Sequence, residues 1–150
     1  MEKRDIFDKI MGLPVLKIFE PFYKKYKEIL LYLFFGGLAF ILSIVTYAFL
    51  NITLQINELI ANVISWIIVV AFDFFTNRIW VFDAPTKNAV DFFKQLLSFF
   101  GGRIMTLLVE EIILGVFISW LQFPSMIIKV IAQVVVIILN YIISKLMVFH

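Results

Sequence analysis

The sequence predicts an all-α membrane protein: four transmembrane helices forming two parallel-repeat helical hairpins, N-in and C-in, preceded by an interfacial amphipathic N-terminal segment. Three observations predict it. The 150-residue chain is 63% hydrophobic, where an ordinary soluble domain is about half apolar. Its apolar residues fall into four blocks, at about 29–50, 59–82, 92–121 and 125–149, each long enough for a hydrocarbon core of roughly 30 Å. Phe-Phe-Gly-Gly occurs twice, at residues 34–37 and 99–102. The blocks do not alternate as barrel strands do, so helices are the way to satisfy their backbone in lipid.

Residues 1–28 form a basic cytoplasmic or interfacial tail, and residues 29–150 the transmembrane domain. No cleavable leader is expected, since the first apolar block follows a charged tail and lacks a small-residue cleavage site after it. The tail mixes apolar residues with Lys; Pro14 and Pro21 break it, and its Lys24, Lys25 and Lys27 are expected to meet anionic lipid. Seven of the 13 Lys and Arg precede the first span. Lys87 and Lys94 lie between the second and third, while the loops at 51–58 and 121–125 carry none. Positive charge stays inside, which places both termini and the middle loop in the cytoplasm. Trp80 and Trp120 fall near opposite interfaces, as aromatic anchors do.

The repeat covers about 29–84 and 92–150. Gly36-Gly37 recurs 65 positions later as Gly101-Gly102, and the ending Trp-Val-Phe at 80–82 recurs 67 positions later as Met-Val-Phe at 147–149. Glycine pairs at equivalent places predict close helix packing. Each half holds two crossings, so the halves are parallel and related by an axis along the membrane normal.

Ionisable groups inside spans are costly and face partners or cavities. Asp73 and Asn140 each lie nine residues before a terminal Phe, roughly 13 Å in from the helix end. Arg103 lies comparably deep, so the three are expected at one level. Arg78 and Lys145 sit one turn from the helix ends, beside Asn77 and Ser144. A phosphate needs converging cations and donors; Arg offers a bidentate fork and Lys a point charge. Arg78, Arg103, Lys145, Asn77, Asn140 and Ser144 are therefore the predicted phosphate or headgroup site, against the plainer reading that Arg78 and Lys145 snorkel to the interface. Asp73, Glu110, Glu111 and Lys129 line a candidate translocation or proton path. Lys129 is the expected partner of one Glu; Glu111 reads as its structural mate, and Glu110 is open between that role and a protonatable carboxylate. Asn62, Ser65, Gln133, Ser43, Thr46 and Thr106 read as interhelical hydrogen-bond glue.

Cysteine is absent and the one His is the last residue, so thiolate or His-based metal sites and disulfides are excluded. No nucleophile–base pair is visible. The sequence predicts no enzyme, no cofactor, no metal and no nucleic-acid partner.

The chain resembles the GtrA-like family of small four-span membrane proteins. The likeness rests on Phe-Gly-Gly opening each half, Asn77-Arg78 before Trp80-Val81-Phe82, Asn140-Tyr141 before Ser144-Lys145, and the terminal Val148-Phe149. It implies a bacterial or archaeal cytoplasmic-membrane protein that flips, or helps flip, a polyprenyl-phosphate-linked sugar for cell-surface polysaccharide or teichoic acid glycosylation. A homo-oligomer is expected, since four short helices enclose little volume. Two alternatives stand: an adaptor that recruits a membrane glycosyltransferase, and a proton-coupled small exporter. Asp73, where the family often has a neutral residue, departs from the pattern and would repel a phosphate unless paired.

Overall fold

The computed structural model describes residues 5–149; Lys3 and Arg4, counted in the basic tail, and the terminal His150 lie outside the described residues. Among those described, the regular structure is entirely helical. A short α1 (Ile6–Met11) opens with a capping box: the Asp5 side chain accepts from the Asp8 N–H, and Asp8 returns the bond to the Asp5 N–H. These two bonds satisfy amides that a helix start leaves open. A single 3₁₀ turn (Lys17–Phe19) then leads into α2 (Glu20–Ala48).

Helix α2 begins nine residues before the expected span. Pro21 does not break it; it stands in the first turn, where a missing N–H costs nothing. Tyr26, with φ −116° and ψ 20°, kinks the helix between its basic first turns and its apolar body. Then follow α3 (Glu58–Thr76), α4 (Ala89–Leu114) and α5 (Ser125–Ile143). Asn57 and Asn88 cap α3 and α4 by accepting from the N–H of Leu59 and Asp91.

Each long helix ends in a widened π turn: Phe49–Thr53, Asn77–Val81, Gly115–Trp120 and Ser144–Val148. The last two widened bonds at the basic end run from Phe82 N–H to Asn77 O (2.9 Å) and from Phe149 N–H to Ser144 O (2.8 Å). Left-handed residues follow three of these turns, Gln55, Asp83 and Gln122. They reverse the chain so that Ile56, Ala84 and Phe123 donate back to Leu50, Arg78 and Phe117, closing the helix ends as Schellman-type caps do.

Among the described residues, three helices are long and apolar enough to cross a membrane: Lys17–Thr53, Glu58–Val81 and Ser125–Val148. The run from α4 through Trp120 carries Arg103, Glu110 and Glu111 and is not among them. Large apolar side chains are exposed along all four long helices, which suits a lipid solvent.

Helix α2 packs chiefly on α3, and α4 on α5, as two hairpins. Ser65 Oγ lies 2.7 Å from Thr46 Oγ1 and donates to Ser43 O (3.1 Å), tying α3 to α2. Thr106 Oγ1 donates to Asn140 Oδ1 (2.8 Å), tying α4 to α5. Asn62, expected as glue, is exposed. The hairpins join through an aromatic core near the ends of α3 and α5. Phe74 is fully buried there and meets Phe92, Phe99 and Phe149 at ring distances of 5.5 to 5.8 Å. Phe82 stacks on Phe149 at 5.4 Å. The repeated endings are thus one shared plug, and aromatic contacts of this kind each add about 0.5–1.5 kcal/mol beyond area burial.

The two glycine pairs are not equivalent, contrary to the sequence expectation. A Cβ on Gly102 would lie 2.8 Å from Ile143 Cγ2, so Gly102 lets α5 approach α4. A Cβ on Gly36, Gly37 or Gly101 would meet nothing within 4 Å. Gly102→Ala is therefore expected to destabilise the bundle by about 1–3 kcal/mol through overpacking, and Gly101→Ala to leave it unchanged or slightly more stable. Thermal unfolding in detergent measures both; equal effects would sink the packing assignment.

Candidate functional site

Two largely buried charges meet between the hairpins. Arg103 on α4 places Nη2 3.4 Å from Oδ2 of Asp73 on α3, with side chains 10% and 19% exposed. The guanidinium also lies 4.5 Å from the centre of the Phe99 ring. This answers the sequence concern about Asp73: its carboxylate is matched by a cation across the hairpin interface. Arg103 Nε is buried without a hydrogen-bond partner, so the guanidinium retains an unspent donor.

A cavity of about 400 Å³ opens beside the pair, lined by Tyr32, Gly36, Gly37, Arg103, Gln133 and Asn140 together with Asp73. Asp73, Arg103 and Asn140 therefore share one level, as their depth predicts. Gly36 and Gly37 supply wall rather than contact, since side chains there would enter open space. The Tyr32 hydroxyl points across to α5, 3.4 Å from Ile137 O. Gln133 of this wall donates from Nε2 to Glu110 Oε1 of α4 (2.7 Å). A cation, its carboxylate partner, amides and a phenol thus surround one largely apolar-walled space.

The other predicted residues stand elsewhere. Arg78 does not join Arg103. Its Nε donates to Gln95 Oε1 and its Nη2 to Thr86 Oγ1, each at 3.0 Å, over the Phe92 ring. It pins the connection between α3 and α4. Asn77, almost fully buried, donates to Asp73 O (2.7 Å) and holds the π turn, its Oδ1 unpartnered. Ser144 is buried in the matching turn. Lys145 pairs with Glu28 Oε2 (2.8 Å), which also accepts from Tyr141 (2.6 Å). The predicted convergence of Arg78, Arg103 and Lys145 thus resolves into three separately partnered cations. Each terminal cation takes its partner from the opposite hairpin, Gln95 for Arg78 and Glu28 for Lys145. The expected Lys129–Glu pair is absent among the described residues: Gln133, one turn further along α5, takes Glu110, while Glu111 and Lys129 are exposed.

The start of the tail is held against the helices. Lys27 Nζ lies 2.9 Å from both Asp5 Oδ2 and Asp8 Oδ2, and so is not free for lipid. Phe7 packs edge-on against Phe35 (5.5 Å) and Trp80 (6.4 Å). Sequence reasoning missed Tyr32, Gln95 and Glu28; the polar residues inside or flanking apolar blocks were the available signal.

These features define a class: a helical membrane protein with an ion pair beside a largely apolar-walled cavity between its two hairpins. The chain belongs to the GtrA/DPMS transmembrane-domain family, whose model matches residues 31–149. It is 34% identical over 122 residues to the cell wall teichoic acid glycosylation protein GtcA of Listeria monocytogenes serovar 1/2a, covering 81% of this chain and 84% of that one. The GtcA of Listeria innocua is 35% identical with the same coverage. The uncharacterized membrane protein YwcD of Bacillus subtilis is 25% identical over 119 residues, 79% of this chain and 94% of that one.

Two expectations test the electrostatics. Asp73→Asn strands the Arg103 charge and is expected to cost about 3–5 kcal/mol, as removing one member of a buried pair does. Asp73→Asn combined with Arg103→Gln should recover most of that loss in thermal unfolding. At the tail, burial pushes the Asp8 carboxyl up, but the Lys27 hydrogen bond, the Asp5 amide and the Lys27 charge outweigh it and hold Asp8 below its ordinary value. A depressed carboxyl stabilises above its unfolded pKa, about 3.9, and loses that contribution as pH falls through its lower folded value. Tail docking, followed by limited proteolysis near Gly12, should therefore hold at pH 5–7 and fail only below about pH 4.

Proposed function

We propose that this protein is a flippase, or a flippase component, that carries a polyprenyl-phosphate-linked sugar across the cytoplasmic membrane for glycosylation of a cell-surface polymer such as teichoic acid. The observation that carries the reading is the cavity at the Arg103–Asp73 pair, with a buried guanidinium N–H left free. The relatives' printed role in teichoic acid glycosylation supports the sugar-transfer setting.

In this reading α4 is the fourth crossing. Two of its charged side chains meet polar partners, Arg103 facing Asp73 and Glu110 facing Gln133, while Glu111 stays exposed. The two hairpins are parallel repeats with both termini in the cytoplasm. The polyprenyl tail stays in lipid along the apolar helix faces. The phosphate displaces part of the Asp73 contact on Arg103. The sugar's hydroxyls meet Asn140, Gln133 and Tyr32. Arg78 and Lys145 act less directly: they clamp the basic ends of the two hairpins. The reaction is translocation, with no bond made or broken, and a second copy of the chain and a membrane glycosyltransferase are the expected partners.

The test uses proteoliposomes with a labelled polyprenyl-phosphate sugar. Wild type should equalise the label between leaflets, Gly37→Leu should abolish this by filling the cavity without loss of thermal stability, and Gly101→Leu on the far helix should not. A leaflet distribution like that of empty liposomes for wild type overturns the transport reading in favour of recruitment.

A further inference from the structure

The tail clasp covers a second cavity, of about 540 Å³, at the basic end. Its wall includes Lys24, Lys25 and Lys27 from the first turns of α2, Trp80 from the π turn after α3, and Asp5 from the tail. Lys24 is spanned to Glu20 across one helical turn at 3.1 Å with its own side chain 63% exposed, a contact that surface solvation keeps weak. Lys25 rests over the Tyr26 ring with no carboxylate partner among the described residues. Lys27 alone is deeply engaged, and its two partners are both carboxylates of the tail at 2.9 Å.

That arrangement is what a phosphate would use. Two carboxylate oxygens on one ammonium occupy the positions that two phosphate oxygens would take. The buried hydroxyl of Tyr23 lies next to Asp8, behind the tail carboxylates. The tail is built to let go. Helix α1 has six residues, too few to persist alone. It is held by its ion contacts and by Phe7 against Phe34, Phe35 and Trp80.

The geometry points to a phosphate-binding site on Lys24, Lys25 and Lys27 beside Trp80, which Asp5 and Asp8 of the tail fill as an internal substitute anion until a ligand phosphate displaces them. This site is separate from the intramembrane cavity and stands whether or not the protein moves lipid-linked sugar. The recognised chemistry is a phosphomonoester or diphosphate, carried by a membrane lipid or by a soluble molecule. Glu28 also borders the cavity, but it is committed to Lys145 and Tyr141. Asp83 borders it as well and sets a cost that favours a ligand with more than one negative charge.

The experiment reads Trp80 emission in the full chain, with Trp66→Phe and Trp120→Phe, in phosphatidylcholine nanodiscs. One arm adds pyrophosphate; the other includes graded phosphatidic acid. A saturable change in either arm supports the site, and the arm that responds names the source. Asp5→Asn with Asp8→Asn keeps the capping geometry but removes the competing charge, and should lower the half-saturation concentration by roughly five-fold or more. Lys27→Gln should raise it at least as far. No saturable response in either arm, or an unchanged midpoint in the Asp5→Asn/Asp8→Asn variant, overturns the proposal. The reading is binding, not transport, so its failure leaves the translocation assay untouched.

Discussion

The Arg103–Asp73 pair is the contact on which the rest of the arrangement turns. It links α4 to α3, hence one hairpin to the other, at a largely buried position where an unpaired charge would be costly. Everything near it can be read as support. Phe99 covers one face of the guanidinium and is itself locked by Phe74 and Phe149. Asn77 fixes the backbone turn that begins at Asp73. Gly102, one residue before Arg103, brings α5 close enough for Thr106 to reach Asn140. An apolar environment makes these polar contacts obligatory, because lipid offers no replacement partners.

The aromatic plug and the cavity are complementary parts of one design. At the basic end, Phe82 stacks on Phe149 and the second Val-Phe terminus is buried in the aromatic core. Along the hairpin interface next to α2, glycine replaces side chain and leaves a space. In the proposed reading, a packed end and an open middle let the site take a headgroup while the ends of α3 and α5 hold their spacing. The cross-hairpin partners of Arg78 and Lys145 reinforce that end, and their charges lie where snorkelling to an interface is cheap.

Much of the helical pattern was legible in the sequence because lipid imposes long apolar blocks with Asn- or Pro-marked turns. The shared level of Asp73, Arg103 and Asn140 was legible too, since depth follows from rise per residue. Facing was not. Arg78 and Lys145 occupy equivalent positions, yet which side chain waits opposite depends on helix rotation, and Gln95 and Glu28 carry no local signature. The expected pair of Lys129 with one Glu failed, and Gln133, one helical turn further on, meets Glu110 instead, a difference that spacing from Pro124 alone cannot resolve. The tail misled for another reason: Pro21 reads as a breaker unless its place in the first turn is known, and the acidic partners of Lys27 precede it by 19 and 22 residues.

The central claim is that the Arg103 cavity receives the phosphate of a lipid-linked sugar. Native mass spectrometry of the detergent-solubilised protein with a polyprenyl-phosphate sugar tests it most directly, comparing wild type with the charge-free but paired variant carrying Asp73→Asn and Arg103→Gln. The account predicts a retained lipid-linked sugar on wild type and its loss from a variant that still folds. Equal retention by both would contradict it.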